Sequence, residues 1–204
     1  MSEPIDLGPM PTRRLMRTVD ERVVRADPDR VFRLVSAVEE WPRHLGHYRS
    51  VVLRDRRSDG GGVVAMTANR PFGPLRWPVW WEAVMQVTSG GGQPRAIRFR
   101  HIAGVTRGME VEWSFTPSEA LLAPGGTSVA TFVRIVHEWD GPRWPLIGSA
   151  AAVGVIGPVF VHGIASRTLA GLGAAAERAQ LDAQERRLDG RISSSLGPNA
   201  GARG

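Results

Sequence analysis

A lone tyrosine and a few histidines carry the proton chemistry open to this chain. Tyr48 is its single tyrosine, and cysteine is absent from all 204 residues. A phenol taken out of water needs a hydrogen-bond partner, and beside a carbonyl it can donate or shuttle a proton. His137 ends a run in which Val129, Thr131, Val133 and Ile135 share its strand parity. That alternation turns it inward, where an imidazole is either an acid or base, or a satisfied core side chain. His44 and His47 have the look of a metal pair, but no third ligand stands at a matching spacing. A surface pair is the better reading, and neither a metal nor another cofactor is expected. The missing cysteines exclude thiolate nucleophiles, thiolate zinc sites and disulfides. There is no GxSxG elbow and no phosphate loop; Gly60-Gly61-Gly62 and Gly90-Gly91-Gly92 read as turns.

These groups need elements to hold them. Residues 17–26 alternate as a strand that stops at Asp27-Pro28. Asp27 is a natural N-cap and Pro28 a natural first helical residue. Val31, Leu34, Val35 and Val38 then recur at helical spacing, and Pro42 ends the helix near Trp41. A strand that feeds a helix without a loop, and then another strand, suits a lid across a curved sheet.

Extended segments follow at about 48–57, 62–70, 77–88, 95–102, 107–117 and 127–139. They are separated by Gly/Pro turns, among them Pro71-Phe72-Gly73-Pro74 and Pro124-Gly125-Gly126, as in a meander. Met109, Val111, Trp113 and Phe115 alternate with Glu110, Glu112 and Ser114, so one face of that strand is apolar and the other wet. A final helix is expected over 157–188. One domain over 17–188 is expected, with a flexible arm at 1–16 and a disordered tail at 189–204.

The net charge is +6, and every basic residue is arginine. These arginines are scattered rather than gathered on one face, so nucleic acid is not the expected partner. The N-terminus lacks a basic start and an apolar core segment, so no signal peptide is read and cytoplasm is the default. From Trp144 to Ser166 there is no Asp, Glu, Lys or Arg, with Arg143 and Arg167 at its borders. Its length is near that of a membrane span, but Pro145, Pro158 and several glycines argue for a buried helix start, with interfacial membrane contact as the alternative.

The order of elements, with Ala26-Asp27-Pro28, Val31-Phe32, Glu40-Trp41-Pro42, Tyr48, Phe99, Gly104, Trp113 and Gly126-Thr127-Ser128-Val129, resembles the START/Bet v 1-like helix-grip superfamily. Within it, the chain is similar to bacterial polyketide cyclase/aromatases and to coenzyme Q-binding proteins. The resemblance spans about 17–187. It implies an α+β fold: a curved antiparallel sheet of about seven strands wrapped on a long C-terminal helix, with two short helices after the first strand. A deep apolar cavity lies between sheet and helix in such a fold.

The resemblance also places Tyr48 at the pocket. The strand that carries serine and then arginine in the aromatases reads Val84 and Gln86 here, and Arg100 falls on a second basic position. Glutamine supplies no fixed positive fork to an enolate oxygen. Glu82 shares that parity, as a pocket acid or a mouth ion pair. Arg98 and Arg100 face either cavity or water, and their alternation with Ile97 and Phe99 favours water.

The expected ligand-binding set is Trp80, Glu82, Val84, Gln86, Arg100, Met109, Val111, Trp113, Thr131 and Val133, with Tyr48 and His137 as proton handlers. The expected function is binding of a hydrophobic small molecule, either by a polyketide cyclase/aromatase of secondary metabolism or by a lipid or quinone carrier. An acyl carrier protein or a membrane surface is the expected partner. Oligomeric state is left open.

Overall fold

The computed structural model describes residues 5–72, 75–90, 93–121, 127–142 and 148–195. The turns expected at Gly73-Pro74, Gly91-Gly92 and Pro124-Gly125-Gly126 lie outside these residues, as do 143–147 and the tail beyond Ser195.

Seven strands form one antiparallel sheet: β1 (Met16–Val24), β2 (Tyr48–Arg54), β3 (Gly62–Phe72), β4 (Leu75–Gly90), β5 (Gln93–Gly104), β6 (Glu110–Leu121) and β7 (Thr127–Trp139). The spatial order is β1-β7-β6-β5-β4-β3-β2. Strands β1 and β2 are neighbours in sequence yet occupy opposite edges of the sheet. The chain joining them must therefore cross the open end of the curved surface. That crossing is α1 (Pro28–Ser36), a single 3-10 turn, and α2 (Trp41–His44).

The crossing is fixed locally. Asp27 Oδ1 accepts from the Asp29 and Arg30 amides at 2.9 and 3.3 Å, and Pro28 opens α1. Val31, Phe32 and Val35 are the buried face of α1, while Leu34 is partly buried. The Trp41 indole donates to the Val35 carbonyl at 3.0 Å, which folds α2 back on the end of α1.

Sheet and crossing wrap a C-terminal helical stretch. It begins as α3 (Gly148–Ala151), winds more loosely over 152–161 with an i→i+5 pattern, and tightens into α4 (His162–Ser195). Pro158 has no amide to donate and lies inside the loose part, where such winding is found. Val161, Ala165, Leu169, Leu172 and Ala176 are its buried stripe. The helix starts before and ends beyond the expected 157–188, because neither Pro158 nor Gly190 stops it.

The convex face of the sheet holds a buried ionic cluster. Arg98 and Arg100 both meet Glu110, and Arg17 meets Glu138, the cross-strand neighbour of Glu110. Residues of the N-terminal arm cover part of this cluster. The Leu7 amide donates to Gln86 Oε1 at 3.0 Å, and Arg100 and Arg98 donate to the carbonyls of Leu7 and Gly8.

Candidate functional site: an aromatic cavity with a polar edge

The concave face and α4 border a partly open cavity of about 70 Å³. Water needs about 10–15 Å³ on this measure, so the space takes several waters or a small ring system. Each strand from β2 to β7 gives it an inward residue. These are Tyr48, Met66, Trp81, Phe99 with His101, Val111 with Trp113, and Ile135 with His137, and Met109 adds to them from just before β6. Trp41 closes it from α2, Thr106 from the β5–β6 turn, and Val161, Ile164, Ala165 and Thr168 from the helical stretch.

The apolar walls are interlocked rings. Trp41 meets Tyr48, Trp113 and Phe99 at centroid distances of 5.5, 5.9 and 6.3 Å. Tyr48 lies 6.0 Å from Trp81, and Trp81 stacks on His101 at 6.1 Å with 13° between planes. Edge and tilted contacts of this kind add stability beyond area burial. They fill most of the space that a bare curved sheet would leave. Met66 and Met109 are the adaptable parts of the wall, since an unbranched thioether repacks at low cost.

The polar edge is formed by imidazoles held by threonines. His101 Nδ1 lies 2.6 Å from Thr106 Oγ1, and His137 Nδ1 lies 3.1 Å from Thr18 Oγ1. Behind Tyr48, His47 Nε2 lies 3.1 Å from Thr168 Oγ1, and its ring is 4.7 Å from the phenol ring. Each hydroxyl fixes an imidazole's orientation, and the tautomer follows from whether it donates or accepts. A further polar spot lies nearby on the concave side of β1. Asp20 is 4% exposed and accepts from Ser166 Oγ at 2.7 Å, with His162 Nδ1 also at 2.7 Å.

Five of the residues singled out in the sequence meet at this cavity: Tyr48, His137, Met109, Val111 and Trp113. Thr131 and Val133 are buried on the same face but nearer α1. The Thr131 hydroxyl donates to the Ala26 carbonyl at 2.8 Å, so it ties β7 to the entrance of α1.

The remaining five do not line the cavity. Trp80, Glu82, Val84 and Gln86 point to the convex side, because the buried parity of β4 is Trp81, Ala83, Met85 and Val87. Glu82 pairs with Arg54 at 3.1 Å, Gln86 holds the N-terminal arm, and Trp80 is 54% exposed beside an outer hollow. Arg100 also belongs to the convex cluster. A charged or amide side chain on that face reaches water or an ionic partner, which the apolar side cannot offer.

Trp41, Met66, Trp81, Phe99, His101, Thr106 and Thr168 escaped the sequence reading. For β4, the apolar set Trp81, Ala83, Met85 and Val87 was the available signal. His101 shares the parity of the apolar Ile97 and Phe99. Thr106 and Thr168 had none, since a turn and a distant helix bring them in. Among the described residues, no group of three or more His, Asp or Glu side chains could hold a metal ion. His44 is not among the cavity-lining residues, and His47 packs on Tyr48.

A curved seven-stranded sheet closed by a crossing helix pair and a long C-terminal helix defines the helix-grip class of ligand-binding proteins. Within that class, residues 24–156 match the family described as polyketide cyclase / dehydrase and lipid transport, and the chain belongs to it. No curated protein matches the chain in sequence. Solved structures share the fold at low identity. A Thermus thermophilus protein is 19% identical with a TM-score of 0.58, covering 80% of this chain and 98% of its own. The di-domain ARO/CYC StfQ from the steffimycin biosynthetic pathway is 16% identical with a TM-score of 0.55. That match covers 80% of this chain and 52% of StfQ. A START superfamily protein from Mycobacterium smegmatis is 16% identical with a TM-score of 0.52, covering 82% and 98% of the two chains.

Proposed function

We propose that the protein binds a compact aromatic or poly-β-keto molecule in this cavity and promotes its cyclisation and dehydration. The observation that carries the reading is the meeting of His101, His137 and Tyr48 in one largely aromatic and aliphatic wall, where Thr106 and Thr168 are the other polar lining residues. A simple container has no need of titratable groups there, since each costs desolvation. Aldol closure needs them. A base removes a proton from a carbon beside a carbonyl, and the resulting enolate attacks a second carbonyl carbon. A donor then protonates the new alkoxide, and loss of water leaves the ring. His137 is the base in this scheme. Tyr48 donates to the alkoxide, and the aromatic walls hold the chain folded.

A carrier function is the second reading, and the lining itself favours it. Among the described residues no arginine borders the cavity, so an enolate would have no fixed cation to stabilise it. The family description includes lipid transport as well as cyclisation.

One experiment separates the two. The protein is mixed with a linear seven-carbon triketone, which closes to a methylresorcinol with loss of one water. Acceleration by the protein that His137→Gln abolishes supports catalysis. No acceleration, together with a phospholipid or prenyl quinone retained in native mass spectra of the extracted protein, supports carriage and rejects catalysis.

A further inference from the structure

We infer that the helical stretch 149–162 is a docking face for an anionic lipid bilayer, set against the wall of the ligand cavity. The inference rests on the hydrophobic-ligand reading for its purpose, but not for its physical basis. Val153, Val155 and Val159 are 51%, 51% and 61% exposed, and Gly154 and Pro158 are exposed between them. No Asp, Glu, Lys or Arg occurs from 148 to 161. Single exposed apolar residues are ordinary; a run of them without a charge is a contact surface.

The C-terminal end of the same stretch reaches the cavity wall. Val161 lines the cavity, and Ile164 and Ala165 continue that lining within two turns of Val159. A hydrophobic molecule leaving a bilayer would therefore pass along this end of the stretch to reach the site. The backbone here is helical, so nearly all of its polar groups are satisfied internally, which entry into hydrocarbon requires.

The borders have the chemistry of a membrane–water interface. Arg167 follows on the exposed side, and the His162 side chain is 56% exposed. At the other end, Ser149 borders the outer hollow, where Leu15, Trp80, Ile102 and Val105 are exposed beside Arg107. Tryptophan and arginine beside an apolar face suit the headgroup layer of an anionic bilayer. An acidic protein partner fits less well, because the centre of the face offers no cation. The stretch lies on the surface rather than crossing, since its continuation buries Leu169, Leu172 and Ala176 against the domain.

The test uses the full chain and sedimentation with vesicles of phosphatidylcholine, with and without phosphatidylglycerol. The wild type is expected to bind, more tightly with the anionic lipid. The double variant Val155→Asp/Val159→Asp should lower partitioning about tenfold or more, and Arg167→Gln should reduce the anionic preference. Both positions are exposed, so circular dichroism and quenching of tryptophan fluorescence by 1-naphthol in lipid-free buffer should stay unchanged. Three outcomes overturn the docking face: a wild type that ignores both vesicles, a double variant that binds as well as wild type, or a face that Val159→Asp reveals as a dimer contact without vesicle binding. Vesicle binding without any 1-naphthol binding would instead remove the small-ring reading of the cavity and leave the docking face standing.

Discussion

His137 on the last strand is held by Thr18 on the first, with Nδ1 3.1 Å from Oγ1 across the β1–β7 pair. The edge strand thereby sets the orientation of the proposed base. His137→Gln should lower triketone closure about a hundredfold, the scale of a lost general base. Thr18→Val keeps the side-chain volume and removes the hydroxyl from His137 Nδ1. It should reduce kcat by about tenfold and displace the kcat–pH profile, which a purely structural change would not do. A Thr18→Val profile that overlays the wild type would remove Thr18 from the mechanism.

Tyr48 packs through its ring, with Trp41 at 5.5 Å and Trp81 at 6.0 Å, so phenylalanine keeps the packing and deletes only the hydroxyl. Tyr48→Phe should cut ring closure by about an order of magnitude or more. Unchanged product formation would reject proton transfer by Tyr48.

The elements were legible because each had a local cause. Asp27-Pro28 starts α1 by capping, glycine turns end strands, and the Met109–Phe115 alternation marks its buried face. The site was legible only where parity was clean. On β4 the pattern Trp80-Trp81-Glu82-Ala83 offers an aromatic residue on both faces, and the convex side is itself covered by the arm and holds buried ions. Burial on both sides blurs the alternation that normally separates them. A one-residue choice then moves the whole set from cavity to outer face, as it did for Trp80, Glu82, Val84 and Gln86. The turn residue Thr106 and the helix residue Thr168 reach the site through tertiary folding, which spacing in the chain does not encode.

Trp41 is 3% exposed at the junction of lid and cavity, and its indole donates to the Val35 carbonyl. Trp41→Ala removes both the ring contacts and that bond, and should cost about 3–5 kcal/mol in urea unfolding. Trp41→Phe keeps an aromatic filler but leaves the carbonyl unpaired, and should cost about 1–3 kcal/mol. If the rings set the capacity of the cavity, Trp41→Phe should also bind a larger ring, such as a hydroxyanthracene, more tightly than wild type. Fluorescence titration of wild type and Trp41→Phe with the hydroxyanthracene measures this, and equal affinity would show that Trp41 does not limit ligand size.

Glu110 and Glu82 give a paired test of how exposure decides the worth of an ion pair. Both face the convex side, and both meet an arginine at 3.1 Å. The Arg98 and Glu110 side chains are 8% and 6% exposed, whereas Arg54 and Glu82 are 60% and 30% exposed. Glu110→Gln leaves the Arg98 guanidinium buried without its nearest countercharge, with the Gly8 carbonyl, the Met10 thioether and the more distant Glu112 still beside it, and it also takes the carboxylate from Arg100. It should lower stability by about 3 kcal/mol. Glu82→Gln removes a pair that water and salt already screen, and should change stability by less than about 1 kcal/mol. Urea unfolding of the two variants at low and at high salt checks both. Equal losses would mean that the arm over Arg98 does not keep water from the cluster.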